Sequence, residues 1–264
     1  MTIAPQDLRI IGELAAVTFA FGLAVGFIGV GGAGVAVALL TSVFGLPAHT
    51  AIGTAIAAML FVTISGAISH YREGNVAHRL GLVVGLAGAA GAVIGADWSQ
   101  SVPDEVLRVA AGLALWSLAV LVFLRSRITR GIVGHETDVH EEPIRTKREW
   151  AAGIGIGATG GAAAAFLGIG MAPLIQLGLL TIHCLPLRQT VGTAMMALIF
   201  ISAAGGLAMA RHGDVSGPHL VGLTIGLASG AYIGARYTRR APRELLRIAV
   251  VAVPVTAGAM LLFL

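Results

Sequence analysis

Residues 26–34 read GFIGVGGAG, and residues 166–173 read FLGIGMAP. Each stretch lies inside an apolar segment, 10–44 in the first case and 150–180 in the second, that exceeds the roughly 20 residues of one membrane span. Clustered glycines, followed in the second stretch by Pro173, favour a turn over a continuous helix. The sequence therefore predicts two membrane-embedded segments with a break in the helix.

Composition supports a membrane setting for both stretches. Of 264 residues, 56% are apolar and 11% are charged, and mean hydropathy is +0.89, whereas soluble domains average about 25% charged residues. We predict an all-α integral membrane protein. The 17 Lys and Arg residues cluster in connections, so they indicate topology rather than a nucleic-acid partner. With Cys184 as the one cysteine, a disulfide is excluded and a metal site is not expected.

The two broken stretches belong to two copies of one unit. Phe27 aligns with Phe166, a shift of 139 residues (166 − 27), and the alignment continues without a gap to Ala110 and Ala249. Rarer residue types match as well: Pro47 with Pro186, Phe61 with Phe200, Arg72 with Arg211, and Arg108 with Arg247. We predict an N-terminal transmembrane repeat at 1–125, a charged cytoplasmic linker at 126–149 and a C-terminal transmembrane repeat at 150–264.

Loop charge predicts how the repeats are oriented. Each copy holds three full spans plus the glycine-broken segment, which either crosses the membrane or returns as a re-entrant hairpin. Four crossings would leave the copies parallel, whereas three crossings and a hairpin would invert them. Connection 97–104 is acidic, but its counterpart 236–243 carries four arginines. Inversion places most basic residues on the cytoplasmic side and therefore fits the positive-inside rule better.

The helix breaks are the first candidates for a binding site. An unpaired backbone group in hydrocarbon costs several kcal/mol, so a break is buried in protein or lines a polar cavity. Half-helix N-termini at such breaks bind anions in transporters with inverted repeats. We predict substrate binding at Gly29, Gly31, Gly32, Gly34, Gly168 and Gly170. Close helix packing is the other use of glycine, and we expect it at Gly91, Gly95, Gly222, Gly226, Gly230 and Gly234.

A second motif follows each break. Residues 46–55 read LPAHTAIGTA, and residues 185–194 read LPLRQTVGTA. Thr54 and Thr193 can donate a hydroxyl hydrogen bond to an anion or to the preceding turn of their own helix. His49 and Arg188 stand at matching positions, where they hold an anion or anchor the helix at the interface.

Two amides complete the candidate set. Gln176 lies inside the second broken segment, where it binds substrate or links helices, and Gln189 follows Arg188. Of 13 acidic residues only Glu13 enters a span, so a carboxylate proton relay and a cation site are poorly supported. An anion site built from helix ends, hydroxyls and basic groups is the remaining interpretation.

The chain resembles the TauE/SafE family of sulfite and sulfoacetate exporters. The resemblance rests on residues 26–34 with 46–55, the connection 71–76, and their second copies at 165–173, 185–194 and 211–215. It implies a multi-pass transporter of the bacterial inner membrane that exports sulfite or an organosulfonate without a prosthetic group. The second copy has Met171 for Gly32 and Pro173 for Gly34, so we expect unequal half-sites.

Alternatives to this function stay open at the level of sequence. An anion channel with the same site, or a carrier for another small anion, fits the residues equally well. An enzyme is disfavoured, because Ser229 has no base at helical spacing. The expected partners are the small anion, membrane lipid and, as an open alternative, a second copy of the chain.

Overall fold

The computed structural model describes residues 5–28, 32–132, 146–169, 171–238 and 243–263. These residues form ten helices: α1 Pro5–Ile28, α2 Ala33–Ser42, α3 Ala48–Arg72, α4 His78–Ser99, α5 Asp104–Ile132, α6 Lys147–Leu167, α7 Ala172–Thr181, α8 Leu187–Arg211, α9 Gly217–Thr238 and α10 Arg243–Phe263. Both helix breaks lie where the glycines predict them, between α1 and α2 and between α6 and α7. Helices α5 and α6 extend into the predicted linker, whose residues 133–145 lie outside the described part.

Four of the described helices, α3, α4, α6 and α8, are long and apolar enough to cross a membrane. Large apolar side chains such as Phe61, Leu86 and Ile94 are exposed on their surfaces, as expected for contact with lipid tails. Exposed aromatic residues lie near helix ends, at Tyr71, Trp98 and Trp150. Aromatic rings favour the headgroup level, so their positions mark the two ends of the bundle.

Helices α3 and α8, which are repeat counterparts, pack against each other in antiparallel directions. Their contacts run in opposite order along the two helices: Gly53 with Met209, Ala57 with Gly206, Gly66 with Met195 and His70 with Gly192. We call the end of the bundle where α8 and α6 begin the linker face. The end where α3 begins is called the far face.

Glycine seams join each repeat to the other. Helix α4 lies parallel to α6, with Gly91 and Gly95 against the carbonyl oxygens of Ala158 and Ala162. Helix α9 packs on α1 in the same way through Gly222, Gly226 and Gly230. A Cβ at any of these glycines would press on the backbone of the partner helix. The predicted packing role is confirmed for these residues, while the surroundings of Gly234 are not among those described.

The second broken segment is a hairpin. Helix α7 folds back on α6, so that Ile175 lies against Gly160 and Gly178 lies against Ile156. After α7 ends, the His183 Nε2 atom is 3.1 Å from the carbonyl oxygen of Glu149, near the start of α6. The chain therefore returns to the linker face before α8 begins.

The turns that follow α2 and α7 have the same left-handed backbone but different residues. Gly45 has φ 66° and its counterpart Cys184 has φ 51°. Side chains other than glycine rarely adopt this region because their Cβ crowds the neighbouring carbonyl. Nothing lies within 4 Å of a Cβ built on Gly45, so conformation alone requires glycine there.

Changing Cys184→Gly should therefore stabilise the protein, and Gly45→Ala should destabilise it, each by about 1 kcal/mol. Thermal unfolding of the purified protein in detergent measures both shifts. Gly155→Ala is the matched control, because Gly155 is helical and also has open space around it. Unfolding temperatures for Gly45→Ala no lower than those for Gly155→Ala would contradict the role assigned to the turn.

Candidate functional site

The two short helices α2 and α7 begin inside the protein without a capping side chain. Their N-cap residues, Gly32 and Met171, are buried and make no side-chain hydrogen bond to the helix. The first N–H groups of a helix have no intrahelical acceptor, and they carry partial positive charge. Ala33 and Ala172 place such donors in the protein interior, since both are 1% exposed.

Helix α2 begins deep in the bundle and ends toward the far face. Its second residue, Gly34, packs against Leu115 of α5. Close by on α5, Trp116 Nε1 donates a 3.2 Å hydrogen bond to the carbonyl oxygen of Val255 in α10. At the other end of α2, the Ser42 hydroxyl donates a 3.0 Å hydrogen bond to the Met260 carbonyl. The helix N-terminus therefore lies beside Leu115, at a level where α5 packs against α10.

The second break contacts the short helix of the first repeat. Gly168 has φ 67° and ends α6 in a left-handed conformation. A Cβ there would meet Val37 of α2 and Ile52 of α3, so both backbone shape and space require glycine. Gln176, 5% exposed, lies on α7 close after this break. The structure thus brings Gly168 beside α2, while Gly29, Gly31 and Gly170 lie outside the described residues.

The proline at position 173 makes the two half-helices unequal. It follows Ala172 in the first turn of α7, and proline has no backbone N–H. Gly34 at the matching position of α2 keeps this donor. The α2 terminus therefore offers more backbone donors than the α7 terminus, as the unequal sequences lead one to expect.

The two Gly-Thr motifs form hydrogen bonds to the short connections of the opposite repeat. Thr54 Oγ1 accepts a 3.0 Å hydrogen bond from the Ser216 N–H, and Thr193 Oγ1 accepts one of the same length from the Ala77 N–H. Both threonines are fully buried. We call the first contact the far clasp and the second the linker clasp, after the face nearest to each.

The glycine that precedes each threonine leaves the space that the clasp contact needs. A Cβ at Gly53 would collide with the Asp214 carbonyl oxygen, and one at Gly192 would collide with that of Asn75. The clasp partners obey the same 139-residue shift as the repeats, since 216 − 77 = 139. Sequence reasoning missed this acceptor role because the repetition shows which residues correspond but not that they pair across copies.

The clasps differ in the side chains around them. At the far clasp, Gln100 donates a 2.7 Å hydrogen bond to Asp214, and His212 lies 2.9 Å from Asp97, so two more contacts join the repeats. In the linker clasp, Asn75 donates to Glu73 at 3.2 Å within its own connection. The far clasp therefore links the repeats through these side chains as well as through the Thr54 hydroxyl.

The other candidates lie at helix starts on opposite faces. The His49 ring at the far face contacts Asp104 Oδ1 through Nδ1 at 2.8 Å and the Ser99 carbonyl through Nε2 at 3.0 Å. These contacts hold α3 against the turn between α4 and α5. Arg188 is exposed at the start of α8, and Gln189 beside it is half-buried. Neither face brings these residues next to the helix breaks by any contact in the described part.

The buried polar side chains of the described residues are neutral hydroxyls and an amide, with one imidazole. They are Thr18, Thr54, Thr63, Ser99, Gln176, His183, Thr190, Thr193 and Ser202. Such groups can donate hydrogen bonds to an anion without repelling it. Ser229 donates instead to the Ile225 carbonyl of its own helix at 2.5 Å.

Comparison with known proteins identifies the family of this chain. The family model described as "Sulfite exporter TauE/SafE" matches residues 14–261. The chain belongs to the TauE/SafE family. No solved structure matches it at a significant level.

Curated relatives of this TauE/SafE protein are named as transporters. The probable membrane transporter protein YdhB of Bacillus subtilis is 37% identical over 247 residues, which cover 94% of this chain and 98% of YdhB. A probable membrane transporter protein of Xylella fastidiosa strain Temecula1 is 28% identical over 220 residues, covering 83% of this chain and 81% of its own. The TauE/SafE protein is accordingly a multi-pass membrane transporter.

Removing a clasp hydroxyl should weaken the fold. Thr193→Val leaves the buried Ala77 N–H without its acceptor, which costs about 1–3 kcal/mol, whereas Thr193→Ser keeps the oxygen. Thermal unfolding in detergent measures the difference. Thr159→Val is the control, because the Thr159 hydroxyl bonds only within its own helix, to Gly155 and Ile156. Equal unfolding temperatures for the Val and Ser variants at 193 would contradict the clasp.

Loss of the Asp104 carboxylate should also destabilise the protein. Asp104→Ala removes the acceptor of the Ala48 and His49 N–H groups and should cost about 1–2 kcal/mol, as for other N-caps. Glu105→Ala is the matched control, since Glu105 is the exposed neighbour. A chemical denaturation midpoint that is the same for both variants would show that the carboxylate is not a cap.

Proposed function

We propose that the protein exports a small sulfur oxyanion, sulfite or an organosulfonate such as sulfoacetate, across the bacterial inner membrane by alternating access. The observation that carries this proposal is the pair of buried half-helix N-termini, which have no capping side chain. Backbone N–H groups at such ends bind oxyanions through hydrogen bonds and the helix dipole. The sulfur chemistry rests on the description of the family.

Antiparallel packing of α3 and α8 supports an inverted arrangement of the repeats. Helices related by an internal two-fold axis run antiparallel when the axis is perpendicular to them. For helices that cross a bilayer, such an axis lies in the membrane plane, as in transporters with inverted-topology repeats. In this arrangement the far clasp and the linker clasp lie toward opposite faces, so they are suited to close one face at a time.

Export of an anion requires no coupling ion in this scheme. A cell that is negative inside favours the exit of an anion by about 2.3 kcal/mol per charge per 100 mV. The buried polar side chains of the described residues include no carboxylate that would repel the anion. We therefore propose the membrane potential as a sufficient driving force.

Efflux of radiolabelled sulfite from proteoliposomes tests the proposal. Gln176→Ala should slow efflux about tenfold, because a hydrogen bond to a charged group contributes about 1.5–3 kcal/mol. Gln176→Glu should slow efflux further, since it adds negative charge beside the break. Thr159→Ala, which removes an exposed hydroxyl of α6, should match the wild type.

Two outcomes would contradict the proposal in different ways. Efflux by the wild type no faster than from empty liposomes would exclude sulfite export. Single-channel currents in planar bilayers would instead identify an anion channel that uses the same helix ends.

A further inference from the structure

Helices α3 and α8 meet at equivalent residues near the middle of their lengths. Their contacts are symmetric about a point between residues 61 and 62 on α3 and between 200 and 201 on α8, which differ by the repeat shift (200 − 61 = 139). Two contact pairs on either side of this point show the symmetry, Ala57 with Gly206 and Gly66 with Met195. We call this place, where corresponding residues of the two repeats face each other, the crossing.

Each repeat places one hydroxyl next to the crossing. Thr63 on α3 and Ser202 on α8 are counterparts, since 202 − 63 = 139, and they are 0% and 4% exposed. The Thr63 hydroxyl donates a 2.9 Å hydrogen bond to the Met59 carbonyl of its own helix. Within the described residues, the Ser202 hydroxyl forms no hydrogen bond. The two matched positions therefore differ in one respect, which is that the donor of Ser202 is unused.

An unused hydroxyl at this depth calls for a physical reason. Thr18 and Ser99 are buried as completely, and each donates to a carbonyl of its own helix, at 2.6 Å and 2.7 Å. A helical serine commonly does the same with the carbonyl one turn earlier. Leaving a buried polar group without a partner is destabilising. A donor that is not bound to its own helix is free to bind a group outside that helix.

Ser202 lies level with the start of α7. Gly88 of α4 contacts Ile201, the residue before Ser202, and it also contacts α6 at residues 157–161. The same turn of α6 lies against Ile175, close to the start of α7. Helix α7 packs on α8 as well. The hydroxyl and the uncapped N-terminus of α7 are therefore at the same depth in the bundle.

The face of α8 that carries Ser202 points toward the second helix break. Gly205 follows one turn later on this face, and it lies against Ala165 of α6 and Ile56 of α3. Ala165 comes three residues before Gly168, where α6 ends. An unused, buried hydroxyl and the first N–H groups of α7 thus belong to one region of the interior.

We propose that Ser202 donates a hydrogen bond to an oxygen of the transported anion and is a specificity-determining residue of the site. The ligand is a small oxyanion such as sulfite, bound between the crossing and the start of α7. Thr63 supplies no matching donor, because its hydrogen is already bound to Met59. This assignment rests on the proposed export of an oxyanion, and it adds a contact from α8 to the helix ends.

A donor at the crossing suits a site that opens to each face in turn. The far clasp and the linker clasp hold opposite ends of α3 and α8. Rocking of one repeat against the other moves those ends more than the middle. Ser202 therefore keeps its position relative to the anion while either clasp opens.

Removing the hydroxyl tests the assignment, with the matched position of the first repeat as control. Sulfite is titrated calorimetrically into full-length protein in a neutral detergent. Ser202→Ala should bind sulfite about tenfold more weakly, because a hydrogen bond to an anion is lost. Thr63→Val should stay within about twofold of wild type. Ser202→Thr, which keeps the hydroxyl, should lose less affinity than Ser202→Ala.

Thermal unfolding of each variant separates binding from a structural role. Ser202→Ala should unfold at the wild-type temperature or above, because it breaks no hydrogen bond of the described residues. A lower unfolding temperature with unchanged sulfite affinity would assign the hydroxyl to the fold and overturn the proposal. Equal affinity losses in Ser202→Ala and Thr63→Val would overturn it too, since they indicate only a disturbed crossing.

Sulfite efflux from proteoliposomes separates this inference from the proposed function. Ser202→Ala should raise the half-saturating sulfite concentration about tenfold, with a smaller change in the maximal rate. Wild-type values of both in Ser202→Ala would overturn the role of Ser202 and leave export standing. Binding that depends on Ser202, without any wild-type efflux, would leave the site standing and exclude sulfite export. Neither binding nor efflux by the wild type would overturn both.

Discussion

A lipid environment gives no hydrogen bonds to the backbone, and this constraint governs the structure. Wherever the chain interrupts a helix inside the bundle, another part of the protein must cover the break. Gly168 is covered by Val37 and Ile52, and the start of α2 by Leu115. The starts of α2 and α7 keep backbone donors without a side-chain cap, and this is why the helix breaks are the candidate site.

Meeting the constraint requires that the repeats be interleaved rather than set side by side. Helices α1 and α9 form one seam, α4 and α6 another, and each seam joins one repeat to the other. Small residues let backbones approach closely, which strengthens dispersion contacts where no hydrophobic effect drives association. At the clasps, small residues allow the same close approach between a helix and a connection. Gly53 leaves space for the Asp214 carbonyl, and Thr54 accepts a hydrogen bond from the N–H of Ser216, two residues after Asp214.

Much of this architecture could be predicted from the sequence, and the parts that could not share a physical reason. Glycine clusters predicted both helix breaks, and small-residue spacing predicted the seams at Gly91 and Gly230, because these patterns act locally. The role of Thr54 depends on which loop packs against its helix. A repeat alignment shows which residues correspond in the two copies, but it does not show which residues are close in space. His49 was considered as a ligand for a free anion or an anchor, but its partner Asp104 lies 55 residues away in the sequence (104 − 49).

The unequal clasps have a consequence for the resting state. Opening the far face would break the Thr54 bond and also the contacts of Gln100 with Asp214 and of His212 with Asp97. Exposed pairs each contribute about 0–1 kcal/mol, enough to shift a two-state population several-fold. In the transport cycle that we propose, these contacts favour the closed state of the far face.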